Sequence, residues 1–160
     1  MQGYLHYAIA PRPICFASTI DKNGEVNLSP FSFFNVFSIN PPICVFDAPH
    51  KKYSGLYLSL TSSEGASKLH ITLTYNDGRE IKDFILPDYY NDILEGDANL
   101  SYLLHDLAKW GPDNKMAESD HHNIDVLNIH PDARRVLKKV TVSKDKAGYL
   151  VFWAATGVAE

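Results

Sequence analysis

Cysteine is nearly absent from this chain: Cys15 and Cys44 are its two thiols, and they do not form a Cys-x-x-Cys spacing. That excludes a disulfide-dense scaffold and supplies no thiolate metal site. Both sit in apolar, strand-like runs where a buried thiol is expected, while a bridge between them stays open for an oxidising compartment. An excess of either charge is also lacking, with 19 acidic against 15 basic side chains and a formal net charge of -4. Nothing electrostatic therefore points to nucleic acid or an anionic membrane as partner. No apolar run approaches the roughly 20 residues that span a bilayer. The opening "MQGYLHYAIAPRP" has no basic start, long apolar stretch or cleavage site. The expectation is a cytoplasmic protein, with secretion left open because a mature fragment that has lost its signal reads the same way. Ser-His-Asp order, a Gly-x-Ser-x-Gly elbow and a phosphate-binding glycine loop are missing too, and Ser18 and Ser29 have no visible base partner.

What is present describes a folded domain. The 160 residues are 45% hydrophobic and 21% charged, enough for one core without disulfide or metal support. Ile14 to Ile20 is an apolar run, and "DKNGE" after it carries Asn-Gly turn chemistry, predicting a hairpin whose second arm starts at Val26. Phe31 to Phe37 is aromatic and β-prone, and "NPP" separates it from a short buried strand over Ile43 to Phe46. Farther on, Leu69, Ile71, Leu73 and Tyr75 alternate with Lys68, His70, Thr72 and Thr74, so one face is core and the other solvent. Asn76 to Gly78 turns that strand into Arg79 to Leu86. Leu100, Leu103, Leu104 and Leu107 fall on one helical stripe, which predicts a short helix capped by Asn99 and ended by "WGP" at Trp110 to Pro112. "GPDNKMAESDHHN" reads as an exposed loop, and Val136 to Val142 and Tyr149 to Ala155 as two last strands. The fold class expected is mainly β, an antiparallel barrel or sandwich with one short helix.

The segment "RPICFASTIDKNGEVNLSPFSFFNVFSINPPICVF", Arg12 to Phe46, resembles the opening of the flavin reductase-like family of FMN-binding split barrels. The resemblance rests on Arg12, Pro13, Ser18, Thr19, Gly24, Asn27, Ser29, Pro30, Phe31, Ser32, Asn35, Ser38, Pro41 and Pro42. It implies FMN as cofactor, a nicotinamide as hydride donor and a homodimer with the site between protomers. The cofactor-binding positions it implies are Arg12, Ser18, Thr19, Asn27, Ser29, Pro30, Phe31, Ser32 and Asn35. The flavin ring would lie against Ser29 to Ser32, with Ser18 and Thr19 toward the ribityl phosphate. The protein would position the cofactors without an acid, base or nucleophile of its own. On the bland reading the same residues are strand ends and turns. After Phe46 the family's Lys-Asp-Thr segment gives way to "DAPHKKYSGLYLSL", where Lys51 and Lys52 are the cations on hand for a phosphate.

Residues 51–157 are similar to something else, the jelly-roll β-sandwich modules found beside glycosidase and other secreted bacterial domains. Tyr75 to Gly78, Pro87 to Tyr89 and Ala155 to Gly157 carry that resemblance. It implies a monomeric, non-catalytic accessory module with carbohydrate as ligand. The two resemblances meet near Asp47, so the chain reads either as one β domain or as a chimera of residues 1–46 and 47–160. Within the second part, Tyr89, Tyr90 and Trp110 are candidates for stacking on a sugar ring. Asp77, Asp88 and Asp92 are candidates for a Ca²⁺ or sugar site, although Asp-Gly and Pro-Asp are turn formers first. Asp120, His121 and His122 suggest a divalent metal, against the commoner reading of a solvated polar loop.

Overall fold

The computed structural model describes residues 15–20, 23–31, 34–39, 42–145 and 148–159, with side chains for 23–26, 44–145 and 148–159. Eleven strands are described: β1 (Cys15–Ile20), β2 (Val26–Phe31), β3 (Phe34–Ile39), β4 (Pro42–Lys51), β5 (Tyr53–Ser63), β6 (Ser67–Tyr75), β7 (Gly78–Leu86), β8 (Leu100–Trp110), β9 (Met116–Ile129), β10 (Leu137–Lys144) and β11 (Tyr149–Ala159). They form two sheets, β2-β1-β11-β5-β9-β8 (sheet A) and β3-β4-β10-β6-β7 (sheet B). All pairings are antiparallel except β1 with β11, which run parallel. The sheets share one core, so the architecture is a β-sandwich and not a closed barrel.

Alternation explains why the sheets face each other. Leu56, Leu58 and Leu60 of β5 and Leu127 and Ile129 of β9 turn inward from sheet A. Leu69, Ile71 and Leu73 of β6, Leu137, Val140 and Val142 of β10 and Phe46 of β4 turn inward from sheet B. A fully buried side chain of this kind contributes about 1.5–3 kcal/mol. The Asn-Gly hairpin forms where expected, pairing Ile20 with Val26 and holding Gly24 at φ 83°. The Asn76–Asp77 turn joins β6 to β7, and Tyr75 pairs with Gly78.

Several expectations are corrected. No helix forms over Leu100 to Leu107; the segment is strand β8, and Leu103 and Leu104 are half exposed. Its leucine stripe finds no layer to pack on in a two-sheet fold, whereas β9 offers an unpaired edge. Asn99 is not a cap: the Asp97 carboxylate accepts from the backbone N–H groups of Asn99 and Leu100, at 2.8 and 3.2 Å, and turns the chain into the strand. The expected loop after Trp110 shrinks to the turn before Met116, because "MAESDHHN" is the polar start of β9 in a hairpin that projects into solvent. The third strand runs Phe34–Ile39 instead of 31–37, and the next extends from Pro42 through Asp47 to Lys51 because β10 pairs along its length. β11 continues to Ala159, past the Ala155 at which its expected strand ended. Among the described residues no helix is long and apolar enough to cross a membrane.

The Ala155 to Gly157 motif has a packing role. Tyr53 is buried against β11, its hydroxyl donates to the Pro49 carbonyl at 2.9 Å, and burial pushes its pKa up to about 12. A Cβ on Gly157 would stand 2.6 Å from the Tyr53 ring. Gly157→Ala is expected to lower stability by about 1–3 kcal/mol through overpacking. The measurement is the urea midpoint; an unchanged midpoint would mean that the ring gives way without cost.

Candidate functional site

The polar groups concentrate where the chain leaves β7 and straps across the end of sheet A before entering β8. Asp88, nearly buried, starts this strap: one carboxylate oxygen accepts from Gly65 N–H at 2.6 Å and the other from Tyr90 N–H at 3.1 Å. Tyr89 N–H donates to Ser62 C=O, and Asn123 N–H donates to Tyr89 C=O, each at 2.9 Å. Asp88 is thus a turn former, and its consequence is the placement of the next two rings. Tyr89, Tyr90 and His122 pack together, with centroids 4.3 Å apart for the tyrosines and 5.2 and 4.7 Å from each to the imidazole.

Around Tyr90 the β8–β9 register supplies charge. Lys109 pairs with Glu118 across the hairpin. The Tyr90 hydroxyl donates to Glu118 Oε2 at 2.8 Å, and Lys109 Nζ donates to both the Tyr90 oxygen and Glu118 Oε1 at 3.2 Å. Hydrogen bonds from Tyr90 and then Lys109 hold the Glu118 carboxyl below its ordinary range, while Tyr89 and then Glu118 push the Tyr90 phenol up. His122 lies beneath, 6% exposed. Its Nδ1 bonds the Leu107 carbonyl at 2.8 Å. A carbonyl only accepts, so Nδ1 bears a hydrogen and donates it. The ring's Nε2 is buried and has no hydrogen-bond partner, with Glu118 Oε2 3.3 Å away.

A second group lies beside the first. Tyr102 hydroxyl accepts from Ile93 N–H at 2.8 Å and donates to Asp92 at 3.3 Å, and His105 Nε2 meets the same Asp92 oxygen at 3.2 Å. His105, then Tyr102, hold the Asp92 carboxyl low. The backbone is strained here: Asp106 and His121 have φ of 55° and 70°, where β8 and β9 lose register. Asp125, opposite Tyr102, is fully buried and neither of its carboxylate oxygens has a hydrogen-bond partner. Burial raises its pKa to about 6, against a smaller lowering by His105.

Of the residues singled out from sequence, Tyr89, Tyr90, Asp92 and His122 meet at this end. Trp110 is at the hairpin tip opposite Met116 and 59% exposed. Asp77 pairs with Arg135 at 2.7 Å beside the β6–β7 turn. His121 contacts Asp120 at 3.2 Å and does not converge with His122. Among the described residues no group of three or more His, Cys, Asp or Glu could hold a metal ion. Lys109, Glu118, Tyr102, His105 and Asp125 escaped sequence reasoning, since only the hairpin register reveals them. A charged cluster on the outer face of sheet B serves as a strand clamp: His70 bonds Asp83 at 2.7 Å and Asp145 at 2.5 Å, and those two carboxylates raise its pKa.

The FMN-implied positions divide between sheets. Ser18 pairs with Leu28 and Thr156, and Thr19 with Asn27 and Gly157. Ser29, Pro30 and Phe31 pair with Ala17, Phe16 and Cys15, all in sheet A, whereas Asn35 pairs with Val45 in sheet B. Arg12 and Ser32 lie outside the described residues, as do the side chains of the others. Lys51 and Lys52 are exposed at the β4–β5 connection.

Asp125 yields a pH test. A folded-state pKa raised above the unfolded value of 3.8 means that its stability contribution is complete below that value and is lost as pH rises through about 6. At pH above 7, Asp125→Asn is expected to be more stable than the wild type by about 3 kcal/mol, taking about 1.4 kcal/mol per pKa unit over the rise from 3.8 to about 6. The advantage should vanish in acid. Urea unfolding at both pH values decides, and a variant less stable at neutral pH would sink the account.

No family model matches the chain. Short stretches are similar to uncharacterized bacterial proteins. One from Aquifex aeolicus is 44% identical over 43 residues, covering 27% of this chain and 22% of that protein. YwrF of Bacillus subtilis is 38% identical over 60 residues, 38% of this chain and 23% of its own length. BH2278 of Halalkalibacterium halodurans is 53% identical over 36 residues, 22% and 17% of the two chains. The matches span about a fifth of each of these relatives.

Proposed function

We propose that the chain is a non-catalytic β-sandwich module that binds carbohydrate at the strap and the β8–β9 hairpin. The observation that carries this reading is the exposed Tyr90 ring, backed by Tyr89 and His122 and edged by Glu118 and Lys109. A sugar ring offers an apolar face and a rim of hydroxyls, and an aromatic face with a carboxylate and an ammonium at its edge complements both. The backing rings and the Asp88 turn hold that face in place, which limits the ordering cost of binding. In a glycan array followed by titration, Tyr90→Ala is expected to weaken binding about tenfold, near the 1.4 kcal/mol that such a factor represents. An array without a ligand removes the carbohydrate assignment.

A second reading, FMN binding with a nicotinamide as hydride donor, rests on the sequence resemblance of Arg12 to Phe46. The placement that favours it is at one end of the sandwich: β1 runs through Ser18 and Thr19 to Ile20 beside Val158, and Lys52 precedes Tyr53, which pairs with Ala159. Serine and threonine hydroxyls with two lysines suit a ribityl phosphate, and bound FMN would supply the redox chemistry. The separation of Asn35 into the other sheet leaves it apart from that group. Fluorescence titration is expected to show saturable FMN binding that Lys51→Ala/Lys52→Ala weakens, with riboflavin, which lacks the phosphate, unaffected by the double change. Equal loss for both flavins, or no binding of either, rejects this site.

A further inference from the structure

β5 and β11 are neighbours in the middle of sheet A, each 11 residues long, and neither contains Asp, Glu, Lys, Arg or His. Their inward faces explain half of that, since Leu56, Leu58 and Leu60 are core. The outward faces do not need to be uncharged for the fold. Sheet B shows the contrast, with Lys68, His70 and Asp83 on its outer side. The outer side of sheet A instead presents Tyr57 and Thr61 on β5, with Ser59 buried between them, beside Tyr149, Val151 and Trp153 on β11. Tyr149, Val151 and Trp153 are 61%, 39% and 54% exposed. An open apolar patch rimmed by hydroxyls is a feature of contact surfaces.

Trp153 is the residue at which this face is organised. It is the extra residue of the bulge between Phe152, opposite Leu60, and Ala154, opposite Ser59. Its indole N–H donates to Thr61 Oγ1 at 2.8 Å, which draws the ring across β5 and satisfies its one polar atom. What the ring leaves available is its face. The backbone groups beneath are consumed in the β11·β5·β9 ladders, so an added strand has nothing to bond. A charged partner would lose hydration with no counter-charge on β5 or β11 to replace it.

We propose that the outer face of sheet A, centred on Trp153, is a docking surface for an uncharged polysaccharide, separate from the Tyr90 site. Ring stacking and hydroxyl exchange are the interactions this face retains, and a neutral pyranose chain uses both. The ligand class rests on the carbohydrate reading above; the surface does not.

The experiment is affinity electrophoresis of the full chain in xyloglucan and galactomannan gels, with polygalacturonate as the charged control. Wild type, Trp153→Ala, Trp153→Phe and Tyr90→Ala are compared, and sedimentation of each reports folding and association. Retardation by a neutral polymer is expected, insensitive to salt, reduced about tenfold in Trp153→Ala and largely kept in Trp153→Phe, in line with ring stacking worth 1.4 kcal/mol or more. Polygalacturonate should not retard it. Loss in Trp153→Ala with Tyr90→Ala unaffected supports this surface and removes the strap site; the reverse result removes this surface and leaves the strap. No retardation by either neutral polymer overturns the proposal. So does a wild-type dimer that Trp153→Ala converts to monomer, because the face would then be covered by a second copy.

Discussion

The pairing of β5 with β11 on one side and β9 on the other is the constraint on which the rest of the molecule depends. β5 places Leu56, Leu58 and Leu60 in the core, keeping unbroken register with β9 through that stretch and with β11 up to the bulge between Ser59 and Leu60. β11 extends the sheet to β1 by a parallel ladder, and β9 extends it to β8. Because side chains alternate strictly along each strand, this one register decides which residues of sheet A see the core and which see solvent. The bulge at Trp153 and the close approach of Gly157 to Tyr53 are both adjustments of the same ladder.

Toward the β8 side, from the end of that ladder where Asp125 pairs with Leu60, the structure tolerates costs that the leucine core does not. Asp125 is buried without a hydrogen-bond partner, His122 has a buried Nε2 without one, and Asp106 and His121 hold left-handed backbone. All four lie between β8 and the inner half of β9, under or beside the 87–99 strap. An unpaired buried polar group costs about 1–3 kcal/mol, and such costs gather where a protein keeps groups for something other than folding. The cluster around Tyr90, by contrast, is satisfied internally: phenol, carboxylate and ammonium bond one another and present a fixed aromatic face.

The flavin and carbohydrate readings draw on different parts of the chain and on different physics. FMN needs a cation for its phosphate and hydroxyls for its ribityl chain, and the groups offered are near the end of β1 and the β4–β5 connection. A sugar needs a rigid aromatic face with polar edges, and the groups offered are on the strap, the β8–β9 hairpin and the outer side of sheet A. No residue is shared between them. Asp47, where the two resemblances meet, lies inside β4, whose ladder with β10 runs from Ile43 to Lys51.

Local pattern carried much of the fold. Strict alternation marked β6 and β7, Asn-Gly marked the β1–β2 turn and Asn-Asp-Gly the β6–β7 turn, and the aromatic and Pro-Pro texture marked strands near β3 and β4, because side-chain period and turn dihedrals are properties of a few neighbouring residues. Leu100, Leu103, Leu104 and Leu107 show where that logic stops. Their spacing suits a helix, but whether it becomes one depends on a surface to bury the stripe, and only the open edge of β9 was there to meet it. The site divides in the same way. Tyr89, Tyr90, Asp92 and His122 stood out by residue type, while Lys109 and Glu118, nine residues apart in the chain, became neighbours of Tyr90 only through hairpin register and the strap. Asp125 follows a segment read as an exposed loop, with no strand expected there; its burial was decided by which face of β9 Leu127 and Ile129 claimed.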